Sequence, residues 1–523
     1  MTPSTPPTGD PVDEQPPARR LSWPRLALLV AALGGVTAAA VVQVDDVRTP
    51  DPAPASAWHV PYVDVTLTPT FQFQDPAANP ARTVALAFVV ADPDAACSPS
   101  WGGYYSLDGA GQDLDLDRRI TQLRSAGGDV VVSFGGLTNE ELSVACTDEE
   151  ALTDAYRDVV ERYDLSSVDM DVEGTAVADQ AAADRRARAL ATVQAERRAE
   201  DRPLSVWLTL PVTPDGLTAD GLALVGRTLD GGVDLAGVNV MTMDYGGSKA
   251  AGTGMLAAAE DALTATAAQL GDAYEQRGEP LDDADLWAHL GATPMIGQND
   301  VDGEVFTVDD ATGLTTFARE RGLGRLSMWS INRDQPCGAS FADVAVHSNT
   351  CSGVTQDPLA FTTAFGRIGS PGATGTVTEV VRQDTRQPVL DDPTTSPYPI
   401  WRAEAQYPAG YKVVWHGQVY EARWYASGID PSTTGSGTPS PWTLLGAVTT
   451  TEAAPEPVPS VTDVTDAWDP ATLYTRGARV VFDGLPYEAR WTNQATSPGV
   501  QFPIGPDEPW APLFTIPGEP TGS

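Results

Sequence analysis

One stretch, Ser166-Ser167-Val168-Asp169-Met170-Asp171-Val172-Glu173-Gly174, limits the folds open to this chain more than any other. Side chains alternate along a strand, so Asp169, Asp171 and Glu173 share one face while Val168, Met170 and Val172 share the opposite one. Carboxylates stacked at this spacing repel one another and lose hydration when covered, a cost that chemistry justifies and packing does not. A solvated sheet edge is the plainer reading. The surrounding segments argue against it, because they are apolar in the manner of buried parallel strands.

Those segments alternate with helical ones. Short β-rich runs fall at Tyr62–Leu67, Val84–Ala91, Val130–Gly135, Val168–Glu173, Leu204–Pro211, Val238–Tyr245, Leu290–Ile296 and Leu326–Ile331. Ala-, Leu- and charge-rich stretches such as Glu140–Tyr163, Ala176–Glu200 and Met255–Arg277 lie between them. Eight strands alternating with helices predict an α/β fold, a (β/α)8 TIM barrel spanning 57–368. In such a barrel the site lies at the C-terminal strand ends, where Glu173 precedes Gly174.

With 523 residues the chain exceeds one ordinary domain. A Gly/Pro/Ser/Thr-rich linker is expected over 369–398. A repeat follows: Trp401, Tyr407, Gly410, Val413-Val414, Gly417 and Tyr420-Glu421-Ala422-Arg423-Trp424 recur 67 positions on as Trp468, Tyr474, Gly477, Val480-Val481, Gly484 and Tyr487-Glu488-Ala489-Arg490-Trp491. Pro441-Trp442 and Pro509-Trp510 close the two copies. Two small all-β modules are therefore predicted, 399–447 and 465–515, separated by a Pro/Thr/Glu-rich linker over 448–464. Such small units need several aromatics for their cores, which Tyr420/Tyr487 and Trp442/Trp510 suit. Trp424, Tyr425 and Trp491 follow strand-like runs and fit exposed platforms on which sugar rings stack.

The net charge of −39, from 32 Lys plus Arg against 71 Asp plus Glu, excludes nucleic acid as an expected partner. After a polar tail over 1–25, Arg19, Arg20 and Arg25 precede the apolar run Leu26–Val42. A signal peptide or a signal-anchor helix over 26–43, with a linker over 44–56, is expected, and with it an extracellular protein, secreted or tethered to the membrane. Four cysteines in an exported chain favour disulfides. Cys337 and Cys351 bracket a short segment and are expected to pair, leaving Cys97 with Cys146, although two other connectivities are compatible with the sequence. The histidines His59, His289, His347 and His416 are scattered, so no metal site is indicated. No cofactor is called for, and a monomer is expected.

The barrel resembles glycoside hydrolase family 18, the chitinases and endo-β-N-acetylglucosaminidases. The residues that carry the resemblance are the acidic motif above, Ser133-Phe134-Gly135-Gly136, Met241-Thr242-Met243-Asp244-Tyr245, Pro294-Met295-Ile296-Gly297-Gln298-Asn299-Asp300 and Met328-Trp329-Ser330. The C-terminal pair is similar to family 5/12 chitin-binding modules. This resemblance implies a retaining, substrate-assisted hydrolysis of β-1,4-N-acetylglucosamine linkages in which the sugar's acetamido group is the nucleophile. It implies Glu173 as general acid, Asp171 orienting the acetamido group, and Asp169 coupled to Asp171 through a shared proton. Ser133 is expected to hydrogen-bond these acids, or to be an ordinary satisfied barrel serine. Trp329 would floor the reactive sugar, Met241 and Met243 would line it, and Trp101 would extend the cleft.

Two departures from the family pattern stand out. Ser166 replaces the motif's first Asp, at a position of opposite strand parity, where altered support rather than lost chemistry is expected. Met243 stands where many members carry a Tyr, leaving Asp244 or Tyr245 to contact the acetamido oxygen. The partners expected in this reading are chitin or chitooligosaccharides, cut internally. Alternatives are an endo-β-N-acetylglucosaminidase acting on other glycans and a non-catalytic chitin lectin or adhesin, against which the retained Glu173 speaks.

Overall fold

The computed structural model describes residues 58–338, 347–369, 391–392, 396–403, 405–432, 439–449, 457–498, 509–515 and 518–519. The expected leader, including Leu26–Val42, and most of the 369–398 linker lie outside the described residues.

The apolar runs pair as a parallel sheet that closes on itself. The barrel strands are Trp58–His59 with Tyr62–Asp64, then Thr83–Asp92, Asp129–Gly135, Ser167–Asp171, Ser205–Thr213, Leu235–Met241, Leu290–Ala292 and Arg325–Leu326. Closure comes from the first of these, because Trp58–His59 pairs with Arg325–Leu326 and Tyr62–Asp64 pairs with Thr83–Asp92. Strand parity then sorts the side chains. Val168, Met170 and Val172 join helix residues such as Tyr156, Leu190, Leu263 and Leu314 in the main core between sheet and helices. The opposite parity fills the lumen, with Val60, Tyr62, Ala85, Ala87 and Val131 clustered on one side and the acids on the other.

Helices Glu149–Arg162, Gln180–Ala199, Ala219–Asp230 and Val308–Arg321 start on the side-chain caps Asp148, Asp179, Thr218 and Thr307, each accepting from a backbone N–H of the first turn. The structure departs from the expected barrel in two places. The first crossover, 66–82, contains no helix; Pro69, Pro76 and Pro80 break it into turns. An antiparallel hairpin, Ala95–Trp101 with Tyr105–Ser106, extends the second strand and makes the sheet mixed.

Beyond the barrel, strands Lys412–Trp415, Gln418–Ala422 and Trp442–Ala447 form one antiparallel sheet, and Arg479–Phe482, Leu485–Ala489 and Trp510–Pro512 form its counterpart. Tyr407, Tyr420 and Trp442 centre the first core, and Tyr474, Tyr487 and Trp510 the second. Disulfides join Cys97 to Cys146 and Cys337 to Cys351.

Candidate active site

The acidic strand ends at Asp171, but Val172 N still donates to Thr209 O at 3.0 Å and Glu173 keeps an extended backbone (φ −129°, ψ 171°). The alternation therefore carries through, and Asp169, Asp171 and Glu173 climb the lumen from its closed middle to its open rim. Ser166 lies below them, exposed at the foot of the strand, where its carbonyl accepts from Ser205 N. A missing acid there removes nothing from the column.

Each carboxyl group has different surroundings. Asp169 is fully buried and accepts on every lone-pair position. Oδ1 takes Thr209 Oγ1 at 2.7 Å and Arg325 Nη1 at 2.6 Å, and Oδ2 takes Ser133 Oγ at 2.7 Å and Tyr62 OH at 2.8 Å. Ser133 thus takes the hydrogen-bonding role. The proton expected to be shared between Asp169 and Asp171 has no place here, since all four acceptor sites of Asp169 are already occupied. Arg325, from the eighth strand, reaches across the lumen because the seventh strand offers Gly291 at that level. A Cβ there would stand 3.0 Å from Arg325 Cβ and 2.9 Å from Asn239 Oδ1.

Asp171 is buried with Oδ1 unpaired. Its carboxyl is held well above the usual range by burial, then by Glu173 and Asp169, with Arg325 pulling part of the way back. Glu173 is part-exposed at the rim, and burial, then Asp244 and Asp300, push it up to about 7. Asp244 adopts a left-handed backbone (φ 48°), and its Oδ1 accepts from Val301 N at 3.1 Å.

Trp329 is part-exposed at the top of the eighth strand, stacked on Phe88 at 5.4 Å between ring centroids. Met241 is nearly buried and Met243 half-buried beside it in sequence. Two expectations fail. Tyr245 does not reach the lumen: after Met241 the chain leaves the strand, parity is lost, and the ring lies in the core between sheet and helices. Trp101 does not extend the cleft. The hairpin turns it inward, 0 % exposed, where Nε1 donates to Tyr163 OH at 2.9 Å. Its neighbour Tyr104 is exposed instead, as is Leu137, which approaches Gly174. In the modules, Trp424, Tyr425 and Trp491 are exposed (45 %, 57 % and 42 %), whereas Trp442 and Trp510 are core.

Sequence reasoning missed Tyr62, Thr209, Asn239, Arg325 and Asp300. Arg325 shares parity with Ser327 and Trp329, which was the available signal. No group of three or more His, Cys, Asp or Glu side chains placed to hold a metal ion occurs among the described residues.

No family model matches the chain. Over 296 residues, 55% of its length, it is 38% identical to a probable bifunctional chitinase/lysozyme of Escherichia coli (strain K12), covering 33% of that protein. Over 291 residues, 54% of its length, it is 38% identical to endochitinase 11 of Metarhizium anisopliae, covering 54% of it. The chain thus spans about a third and about half of the lengths of these curated relatives. Among solved structures, the catalytic domain of a hyperthermophilic chitinase from Pyrococcus furiosus matches with a TM-score of 0.52 at 28% identity, covering 60% of this chain and 95% of that one. The likeness shows a TIM-barrel-like fold for this part of the chain.

Proposed function

We propose that this chain is a chitinase, a glycoside hydrolase that cleaves β-1,4-linked N-acetylglucosamine with retention and with the substrate's own amide as nucleophile. The observation that carries the reading is the graded column: a fully paired anion at Asp169, a buried acid with an unpaired oxygen at Asp171, and a titratable acid near neutrality at Glu173. The similarity to chitinases supports the substrate class.

In this mechanism Glu173 gives its proton to the glycosidic oxygen as the bond to C1 breaks, a task suited to a group titrating near 7. The acetamido carbonyl oxygen attacks C1 and forms an oxazolinium ring. Asp171 Oδ1 accepts the acetamido N–H, which supplies the partner the protein withholds. As positive charge grows on the ring, it offsets the repulsion that Asp171 experiences from Asp169 and Glu173. Water, deprotonated by the Glu173 carboxylate, then opens the ring from the face the leaving group vacated, which retains configuration. Trp329 and Phe88 supply the apolar floor for the sugar.

The same proposal makes the protein exported, on the strength of Arg19, Arg20 and Arg25 before Leu26–Val42 and of its two disulfides. It makes Trp424, Tyr425 and Trp491 chitin-stacking platforms, so their alanine variants should release the protein from insoluble chitin in a sedimentation assay. Glu173→Gln should lower hydrolysis of colloidal chitin and of a fluorogenic chitobioside by about 10²–10⁴-fold while leaving chitin binding intact. Retained turnover would sink the assignment, as would equal cleavage of a glycan lacking the N-acetyl group. Peptidoglycan belongs in the same assay, because the E. coli relative's name pairs chitinase with lysozyme.

A further inference from the structure

Helix Leu116–Ser125 packs against the first C-terminal module, and the side chains between them are charged and buried. Asp115, just ahead of the helix, is 1 % exposed; its Oδ2 lies 2.5 Å from Lys412 Nζ and its Oδ1 3.2 Å from Arg118 Nε. Tyr398 OH lies 2.9 Å from both of its oxygens. Burial would push the Asp115 carboxyl up, but Lys412 and Arg118 more than offset this and hold it below its usual value. Around this centre Arg118 donates to Ala447 O, Gln74 links Arg119 to Leu444 O, and Arg423 pairs with Asp75. The backbones come close at Gly446, where an added Cβ would stand 2.8 Å from Arg118 Cγ and 3.0 Å from Arg118 O.

The repeat supplies an internal control. Arg479 and Glu488 are the counterparts of Lys412 and Glu421, and there they pair with each other at 2.9 Å, with side chains 44 % and 36 % exposed. Gly446 faces Val419, whose counterpart is Pro486, and there Leu513 N donates to the Pro486 carbonyl, so a leucine stands where the first module has its glycine. Both modules nevertheless expose their tryptophans, Trp424 and Trp491. One face therefore docks in the first copy and lies open in the second, while the aromatic face is alike in both.

We propose that the first module is a fixed part of the catalytic body, docked on helix Leu116–Ser125 through Asp115, Lys412, Tyr398 and Gly446, and that it holds the Trp424–Tyr425 platform in one orientation to the barrel. The barrel surface thus suits a sheet that brings both a cation to Asp115 and a glycine to Arg118; the second module keeps a cation, Arg479, at the first position but has no glycine at the second. A buried ion pair adds little net stability, but leaving one partner unpaired is costly, so it selects a single pose. The docking stands on geometry alone; the use of the platform rests on the chitinase reading.

The test uses the full-length chain. Lys412→Met should raise amide exchange across 116–125 by at least about tenfold, and Asp115→Asn added to it should restore much of the protection. Turnover of a soluble chitobioside should stay within about twofold, while turnover of insoluble chitin falls several-fold at unchanged adsorption. Exchange unaltered by both Lys412→Met and Arg423→Glu would overturn the docking. Unchanged insoluble turnover with the helix deprotected would overturn the fixed platform. Because exchange is read without substrate, the docking result is separable from any failure of the chitinase reading.

Discussion

The pairing of Arg325 with Asp169 makes a quantitative prediction. Both side chains are 0 % exposed and Nη1 lies 2.6 Å from Oδ1. At an effective dielectric near 20, opposite charges about 3 Å apart attract by roughly 5 kcal/mol, most of which offsets the desolvation of both groups. Arg325→Met leaves the Asp169 anion with three hydroxyl donors and no counter-charge. Stranding a buried charge in this way costs about 3–5 kcal/mol. At about 2 °C per kcal/mol for a domain of this size, the barrel's melting temperature should fall by about 6–10 °C. Asp169→Asn alone strands the cation instead and should lose a comparable amount. Together they strand neither, because Thr209, Ser133 and Tyr62 are hydroxyls that can keep donating to the amide oxygen or turn to accept from the amide NH2. The double variant should therefore recover at least half of the summed loss, read as a coupling energy from a double-mutant cycle in chemical denaturation. Strictly additive losses, or an Arg325→Met protein as stable as the parent, would refute the argument that Asp169 depends on a cation.

Glu173 near 7 places the alkaline limb of kcat/KM at about pH 7; Asp300→Asn and Asp244→Asn each remove a negative neighbour, let Glu173 ionise more readily, and should move that limb to lower pH by some tenths of a unit. An unmoved limb in both variants would show that these carboxylates do not act on the acid. The folded Asp171 carboxyl is raised, so its native state is favoured in acid and penalised as pH rises above the unfolded value near 4. Asp171→Asn should accordingly melt a few degrees higher than the parent at pH 7 and level with it near pH 3, while losing activity about 10²-fold or more. A buried Trp101 predicts that Trp101→Ala lowers stability by about 3–5 kcal/mol with KM for chitooligosaccharides unchanged; a raised KM at full stability would return it to the cleft.

What was legible in the sequence depended on parity. Asp169, Asp171 and Glu173 keep a period of two past the end of their strand, so their common face is right even where the ladder stops at Asp171. Tyr245 was misread because the chain turns at Asp244, after which alternation carries no information. Trp101 was misread because Gly102-Gly103 closes a hairpin, and the Trp belongs to its first arm rather than to a rim loop. Arg325 is a single residue in an apolar run, and no local pattern says that its partner is an acid 156 positions away. The modules show the same limit: identical spacing gives the same cores, Tyr407 with Trp442 and Tyr474 with Trp510, but not which copy finds a neighbour.

The three acids coexist in one lumen because each meets a different fate for its charge. At the closed level three hydroxyl donors and a guanidinium surround Asp169, so the local sum is near neutral and the cost of burial is met. One level up, Asp171 has no cation of its own, and the anion below it together with Glu173 makes a second negative charge expensive. At the rim, burial first and then Asp244 and Asp300 hold the Glu173 proton on until about pH 7. Removing the compensation at the bottom would therefore be felt one level up, since an uncompensated Asp169 would repel negative charge on Asp171 more strongly. Asp171, the acid proposed to hold the acetamido group, depends in this way on Arg325, which lies a level below it.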